Sequence, residues 1–86
     1  MLGDYALALE RIHQDPEIMA GKPVIRGTRV PVDRVLGHLA AALDVSDVLR
    51  AFPHITLEDI RACLEYAQRE LELTQRKRRS KTPQVA

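Results

Sequence analysis

At Pro31-Val32 the spacing of apolar residues switches from two to 3.6, which divides the chain into a β-forming part and a helical part. Before the switch, Gly21-Lys22-Pro23-Val24-Ile25-Arg26-Gly27-Thr28-Arg29-Val30-Pro31 sets two β-branched runs on either side of Gly27-Thr28. A Gly-X pair between such runs predicts a two-residue type II′ hairpin, with Gly27 supplying the positive φ. Ile25 then faces Val30 on the buried side, and Arg26 faces Arg29 on the other. After the switch, Val32, Val35, Leu36, Leu39, Ala40 and Leu43 share one stripe of an amphipathic helix. Pro31 and Asp33 suit its first turn.

Local signals place the remaining elements. Leu9-Glu10-Arg11-Ile12-His13 reads as another short strand, ended by a turn at Asp15-Pro16. Ser46 is expected to cap a brief second helix running to Phe52, where Pro53 stops it. Thr56-Leu57-Glu58-Asp59 opens the third helix as a capping box with Asp in place of Glu, and Ile55 and Ile60 form a hydrophobic staple. Its inward stripe reads Ile60, Cys63, Leu64, Ala67 and Leu71, and its outer face reads as Arg61–Glu65 and Glu65–Arg69 pairs. The fold expected is mainly α with a short N-terminal β-arm (α+β), the helices forming a helix-turn-helix. Residues 1–8 are an N-terminal extension in this reading, 9–73 the β-arm and three-helix domain, and 74–86 a basic, disordered tail.

Composition narrows the functional classes. The chain has 86 residues and three aromatic ones, Tyr5, Phe52 and Tyr66, so a single small domain must build its core from thin aliphatic side chains. A second copy would relieve that shortage, and a homodimer is expected. Cys63 stands alone, which leaves no disulfide framework and suits a reducing compartment. The N-terminus lacks a basic n-region, and no apolar run approaches the roughly 20 residues of a membrane span. The expected location is cytoplasmic, away from membranes. Net charge is +1 but unevenly placed: residues 1–73 hold all twelve acids against eight bases, whereas Arg76, Lys77, Arg78, Arg79 and Lys81 stand without acids.

Three stretches are more specific than these patterns: Gly21 to Val32, then Phe52-Pro53-His54-Ile55-Thr56-Leu57-Glu58-Asp59-Ile60, then Leu64-Glu65-Tyr66-Ala67. On them, residues 12–67 resemble the bacterial and archaeal family named for domain of unknown function 433. The resemblance implies a homeodomain-like or winged-helix-like helix-turn-helix. It also implies an antitoxin-like role, since family members are often associated with toxin–antitoxin pairs whose partners are PIN-like nucleases. Autoregulatory binding of operator DNA would accompany that role. The alternative is a stand-alone DNA-binding regulator or a structural dimerisation module without a toxin. Many relatives carry Gly between the first two helices where this chain has Leu43-Asp44, and Asp44 is expected to take the left-handed turn.

Candidate binding residues follow from charge. Arg26 and Arg29, opposed across a hairpin, need a nearby anion: either a partner's phosphate or carboxylate, or an internal acid among Asp15, Glu17 and Asp33. Lys22 and Thr28 flank them. Lys22 does not belong to a phosphate-binding loop, because Pro23 stands where Ser or Thr is required. Thr56 and Arg61 are candidate contacts on the third helix, although Glu58 and Asp59 in its first turn oppose the field of a duplex. Arg76, Lys77, Arg78 and Arg79 could neutralise phosphates, fold onto an acidic protein, or only solubilise the chain end. His13, His38 and His54 show no metal-ligand spacing, and Cys63 reads as a small core residue. No cofactor and no catalytic pair are read. Gly37 within a helix points to the close approach of another element there.

Overall fold

The computed structural model describes residues 5–81, with side chains described as far as Lys77. In chain order the elements are helix α1 (Ala6–Arg11), strand β1 (Ile12–His13), a 3-10 turn (Met19–Gly21), strand β2 (Val24–Ile25), and helices α2 (Val32–Ala42), α3 (Val45–Ala51) and α4 (Leu57–Lys81). β1 and β2 pair antiparallel, Ile12 opposite Ile25 and His13 opposite Val24. The mainly helical α+β class with its small N-terminal arm is as expected, and α1 is an addition.

That addition corrects the reading of Leu9–His13. The strand covers only Ile12 and His13; Leu9 lies in α1 and is exposed. Ala8 and Ile12, four residues apart, turn into the core instead, and Tyr5 and Leu7 pack against it. Glu65 on α4 accepts the Ala8 amide hydrogen at 3.1 Å, supplying a helix-start acceptor that no nearby side chain provides. Residues 5–8 are therefore part of the packed fold, and residues 1–4 lie outside those described. At the other end, α4 runs on to Lys81, so 74–81 is helical where a disordered tail was expected; 82–86 lie outside the described residues.

Helix α2 starts at Val32, its stripe burying Val32 and Val35 and packing Leu36 and Leu39 on the core. It ends at Leu43, whose φ of 54° is left-handed and whose amide donates to Leu39 O at 2.7 Å. Leu43, not Asp44, takes the strained turn. Asp44 is extended and caps α3 by accepting the Ser46 amide hydrogen at 2.9 Å, so the cap falls two residues before the one expected. Ala40 and Leu43 are exposed, ending the apolar stripe earlier than the periodicity suggests. Gly37 is exposed as well, and nothing would lie within 4 Å of a Cβ there, so no element approaches it.

The start of α4 matches the capping-box reading. Thr56 Oγ1 accepts the Asp59 amide hydrogen at 3.2 Å, and Asp59 Oδ2 accepts that of Thr56 at 2.9 Å. Ile55 and Ile60, the staple, are both buried. The face of α4 is rotated from the expected one. Asp59, Ile60, Ala62 and Cys63 are buried and Tyr66 is half-buried, whereas Leu64 and Leu71 are exposed. The cause is α1, which packs along α4 and draws Ala62 and Tyr66 inward. The Arg61–Glu65–Arg69 pairs are absent among the described contacts: Glu65 is committed to Ala8, and the Arg69 guanidinium sits 5.3 Å from the centre of the Tyr5 ring.

Candidate binding cleft

The loop from β2 to α2 reverses at Ile25–Thr28, where Thr28 donates its amide hydrogen to Ile25 O at 3.0 Å and Gly27 has φ 81°. Positive φ at the third residue defines a type II turn centred on Arg26-Gly27, one residue earlier than the type II′ turn expected. The register of the two flanks is as read: the Ile25 amide donates to Val30 O at 3.0 Å, and Val24 bridges Pro31. Ile25 is buried and Val30 packs against the core.

The two arginines have different surroundings. The Arg26 amide donates to Arg11 O at 2.7 Å and its Nε to Glu10 O at 2.9 Å, so Arg26 closes the C-terminus of α1. None of Asp15, Glu17 and Asp33 pairs with either arginine among the described contacts. Asp33 holds Lys22 Nζ at 3.1 Å, and Asp15 accepts the Glu17 amide hydrogen at 2.9 Å. Thr28 is committed to the turn: its hydroxyl donates to Ile25 O at 2.7 Å and accepts from the Val30 amide at 3.0 Å. Thr56 is likewise the cap of α4. Of the expected contacts, Lys22, Arg26, Thr28 and Thr56 thus have internal work.

Arg29 is different. It is exposed, has no hydrogen bond or ion pair among the described residues, and lines an open cleft of about 250 Å³ with Met19, Val30, Pro31, Arg34 and Phe52. Arg34, in the first turn of α2, is also exposed; its amide donates to Pro31 O at 3.2 Å, and its side chain has no such partner among the described residues. Arg34 is not among the residues the sequence singles out; its one signal is a place five residues after Arg29, across the turn into α2. The floor is apolar, from Met19, Val30, Pro31 and Phe52. Phe52 is fixed from behind by the His38 ring, edge-on at 5.8 Å between centroids.

Backbone strain shapes the cleft's rim. Met19 and Ala20 have φ of 50° and 58°, and Gly21 follows at 84°. Left-handed conformations cost an L-residue about 1–2 kcal/mol each and persist only where the surroundings over-determine them. Here the Ile18 amide donates to Asp15 O, the Gly21 amide to Ile18 O, the Lys22 amide to Met19 O, and Gln14 Nε2 to Gly21 O at 3.0 Å. Two unpaired guanidinium forks over an apolar floor can hold a carboxylate or phosphate whose carrier is itself apolar.

The other candidates lie elsewhere. Arg61 is exposed on α4, remote from this cleft's lining. Arg76 and Lys77 border a second groove, near 330 Å³, with Glu70, Leu73 and Thr74. Arg78 and Arg79 continue the helix, and their side chains lie outside those described. Cys63 is fully buried, and burial, followed by the charge of Asp59, pushes its thiol up to about 12. Among the described residues, no three His, Cys, Asp or Glu side chains converge on a metal position. No helix among them is long and apolar enough to cross a membrane.

A two-stranded arm bound to four helices, the last two joined by a tight turn, defines a small, mainly helical α+β domain. The chain belongs to the DUF433 family, described as proteins of unknown function, whose model matches residues 12–67. It is similar to an uncharacterized protein of Sinorhizobium fredii, y4eO, with 43% identity over 67 residues, which is 78% of this chain and 30% of that protein. The chain thus spans less than a third of that relative's length. An uncharacterized Archaeoglobus fulgidus protein is 60% identical over 25 residues, 29% of this chain and 69% of its own. Among solved structures, a DUF433 member from Anabaena variabilis superposes with a TM-score of 0.67 at 27% identity, covering 85% of this chain and 73% of that one.

Proposed function

We propose that this protein is a non-enzymatic, antitoxin-like binding protein that holds an acidic protein partner, a PIN-like nuclease in the family reading, in the cytoplasm. One observation carries the acidic-partner part: Arg29 and Arg34 flank an apolar cleft with no acid among the described residues paired to their side chains. Leaving two guanidinium groups unmatched over apolar surface suits a ligand that brings both a carboxylate and an apolar contact. The nuclease identity rests on the family resemblance, and metal-binding carboxylates of such an enzyme have the charge this cleft accepts.

A DNA-binding regulator is the second reading, and one finding favours it. Asp59 is buried against Arg11, so the first turn of α4 presents only Glu58 as an exposed acid. The repulsion expected from two acids is halved.

Co-expression with the product of a reading frame found beside this chain's own, tested first for a nuclease, separates the readings. The pair is expected to co-purify, and Arg29→Glu with Arg34→Glu is expected to abolish capture while the melting temperature of the free protein stays within a few degrees. Unchanged capture by the double variant, or a neighbouring frame encoding no nuclease, overturns the proposal. Salt-dependent binding of a duplex from the upstream region, lost instead in Arg61→Glu, would establish the second reading.

A further inference from the structure

The cleft beside Phe52 has room for one side chain and not for a whole small molecule. Its volume is about 250 Å³, below the roughly 300–1,000 Å³ of pockets that enclose drug-sized ligands. Most of its floor is fixed in advance. The Phe52 amide donates to Val48 O at 3.0 Å, and Phe52 O accepts the Ile55 amide hydrogen at 3.1 Å. The Val30 amide donates to Thr28 Oγ1 at 3.0 Å, and Val30 O accepts the Ile25 amide hydrogen at 3.0 Å. Met19 is the exception: it is exposed by 41%, on a rim of three left-handed residues. An unbranched thioether reshapes around whatever it meets, so the cleft is rigid on one side and adaptable on the other.

The rim constrains what surrounds that side chain in the ligand. Arg34 stands in the first turn of α2, where the helix dipole disfavours a cation, so its charge does not serve α2 itself. Asp33, its neighbour in sequence, is engaged by Lys22 Nζ at 3.1 Å. Two positive charges therefore border an apolar floor. A bare anion would match the charges and leave the floor wet. An apolar side chain alone would do the reverse. Nucleic acid fits less well, because single strands bind on successive stacking rings. Here the one ring, Phe52, already packs against His38.

We propose that this cleft recognises a short peptide segment in which one large apolar residue, Leu, Ile, Met or Phe, has Asp or Glu on both sides. The apolar side chain sits on Met19 and Phe52, and the flanking carboxylates meet Arg29 and Arg34. The proposal rests on the acidic-partner reading and adds to it the form of the recognised segment.

Nuclear magnetic resonance titration of the full chain with an end-blocked peptide, Gly-Glu-Glu-Leu-Glu-Glu-Gly, tests this. The comparison probes are its Leu-to-Ser form, its Glu-to-Gln form, and single-stranded oligothymidylate. Amide shifts are expected at Met19, Arg29, Val30, Arg34 and Phe52 with the first peptide. Each half-matched peptide is expected to bind about tenfold more weakly. Arg29→Gln with Arg34→Gln should remove the preference for Glu over Gln. Met19→Asn, a residue that accepts left-handed backbone, should weaken the leucine peptide while the melting temperature holds. No shifts at these residues, equal binding of either half-matched peptide, or tighter binding of the oligonucleotide there would overturn the proposal. Selective peptide binding without capture of a nuclease would sink the nuclease reading alone. Capture through Arg29 and Arg34 with no selectivity among the peptides would sink this proposal alone.

Discussion

Arg11 Nη1 lies 3.0 Å from Asp59 Oδ1, a charge-assisted hydrogen bond that ties the end of α1 to the start of α4. Asp59 is the one buried charged residue of the described core, and its other oxygen caps the Thr56 amide. A buried carboxylate deprived of its cation keeps the desolvation cost and loses the attraction. Arg11→Met is therefore expected to lower unfolding stability by about 1.5–3 kcal/mol, read from urea denaturation followed by circular dichroism. Asp59→Ala should cost more than Asp59→Asn, because only the former removes the cap.

Cys63 gives a pH signature. Its thiol is raised from an ordinary 9.0 to about 12 by burial and, secondarily, by Asp59. The folded chain keeps this proton where the unfolded chain releases it, so the stability it contributes is full below pH 9 and is lost as pH rises toward 12. Thermal unfolding from pH 8 to 11 is expected to show a decline that is shallower in Cys63→Ala. The native thiol should also resist iodoacetamide at pH 8 and react once urea unfolds the chain.

Leu43 occupies a left-handed turn with 83% of its surface exposed. Its side chain contributes little packing, while its backbone conformation is costly for any L-residue. Leu43→Gly is expected to raise stability by about 0.5–1 kcal/mol, the relief of strain exceeding glycine's added chain entropy. A rise of several degrees in the calorimetric midpoint would show it.

Gly37 offers a second stabilising change by another mechanism. It lies inside α2, exposed, with open space where a Cβ would go. Gly37→Ala is expected to add about 1 kcal/mol through helix propensity alone. Leu43→Gly and Gly37→Ala should combine almost additively in the same calorimetric measurement, since they share no contact.

Sequence signals located what is local. The Thr56–Asp59 cap and the Ile55–Ile60 staple lie within the stretch 55–60 and mark the start of α4 without help from any distant residue. The Ile25–Val30 register was legible for the same reason. What escaped depends on residues far apart in the chain. The Leu9–Arg11 part of α1 reads as strand because six helical residues show little period and their acceptor, Glu65, lies 57 positions from Ala8. Leu64 and Leu71 were assigned inward because the apolar stripe of α4 is wide, and only the position of α1 chooses which edge is buried. Arg34 escaped because its relation to Arg29 exists only once the chain turns into α2. Arg26 is lost to the expected pair because its Nε donates to Glu10 O and its amide to Arg11 O, contacts with a helix 15 and 16 positions away that no local pattern shows.

The dependence of α1 on Glu65 also orders events during synthesis. A six-residue helix without a cap of its own is far below the length at which helices persist unaided. During synthesis these residues must wait for Glu65, 57 positions later, before their acceptor exists. In hydrogen–deuterium exchange, the amides of Ala8 and Leu9 are expected to open ahead of those around Cys63, as befits a late-docking element.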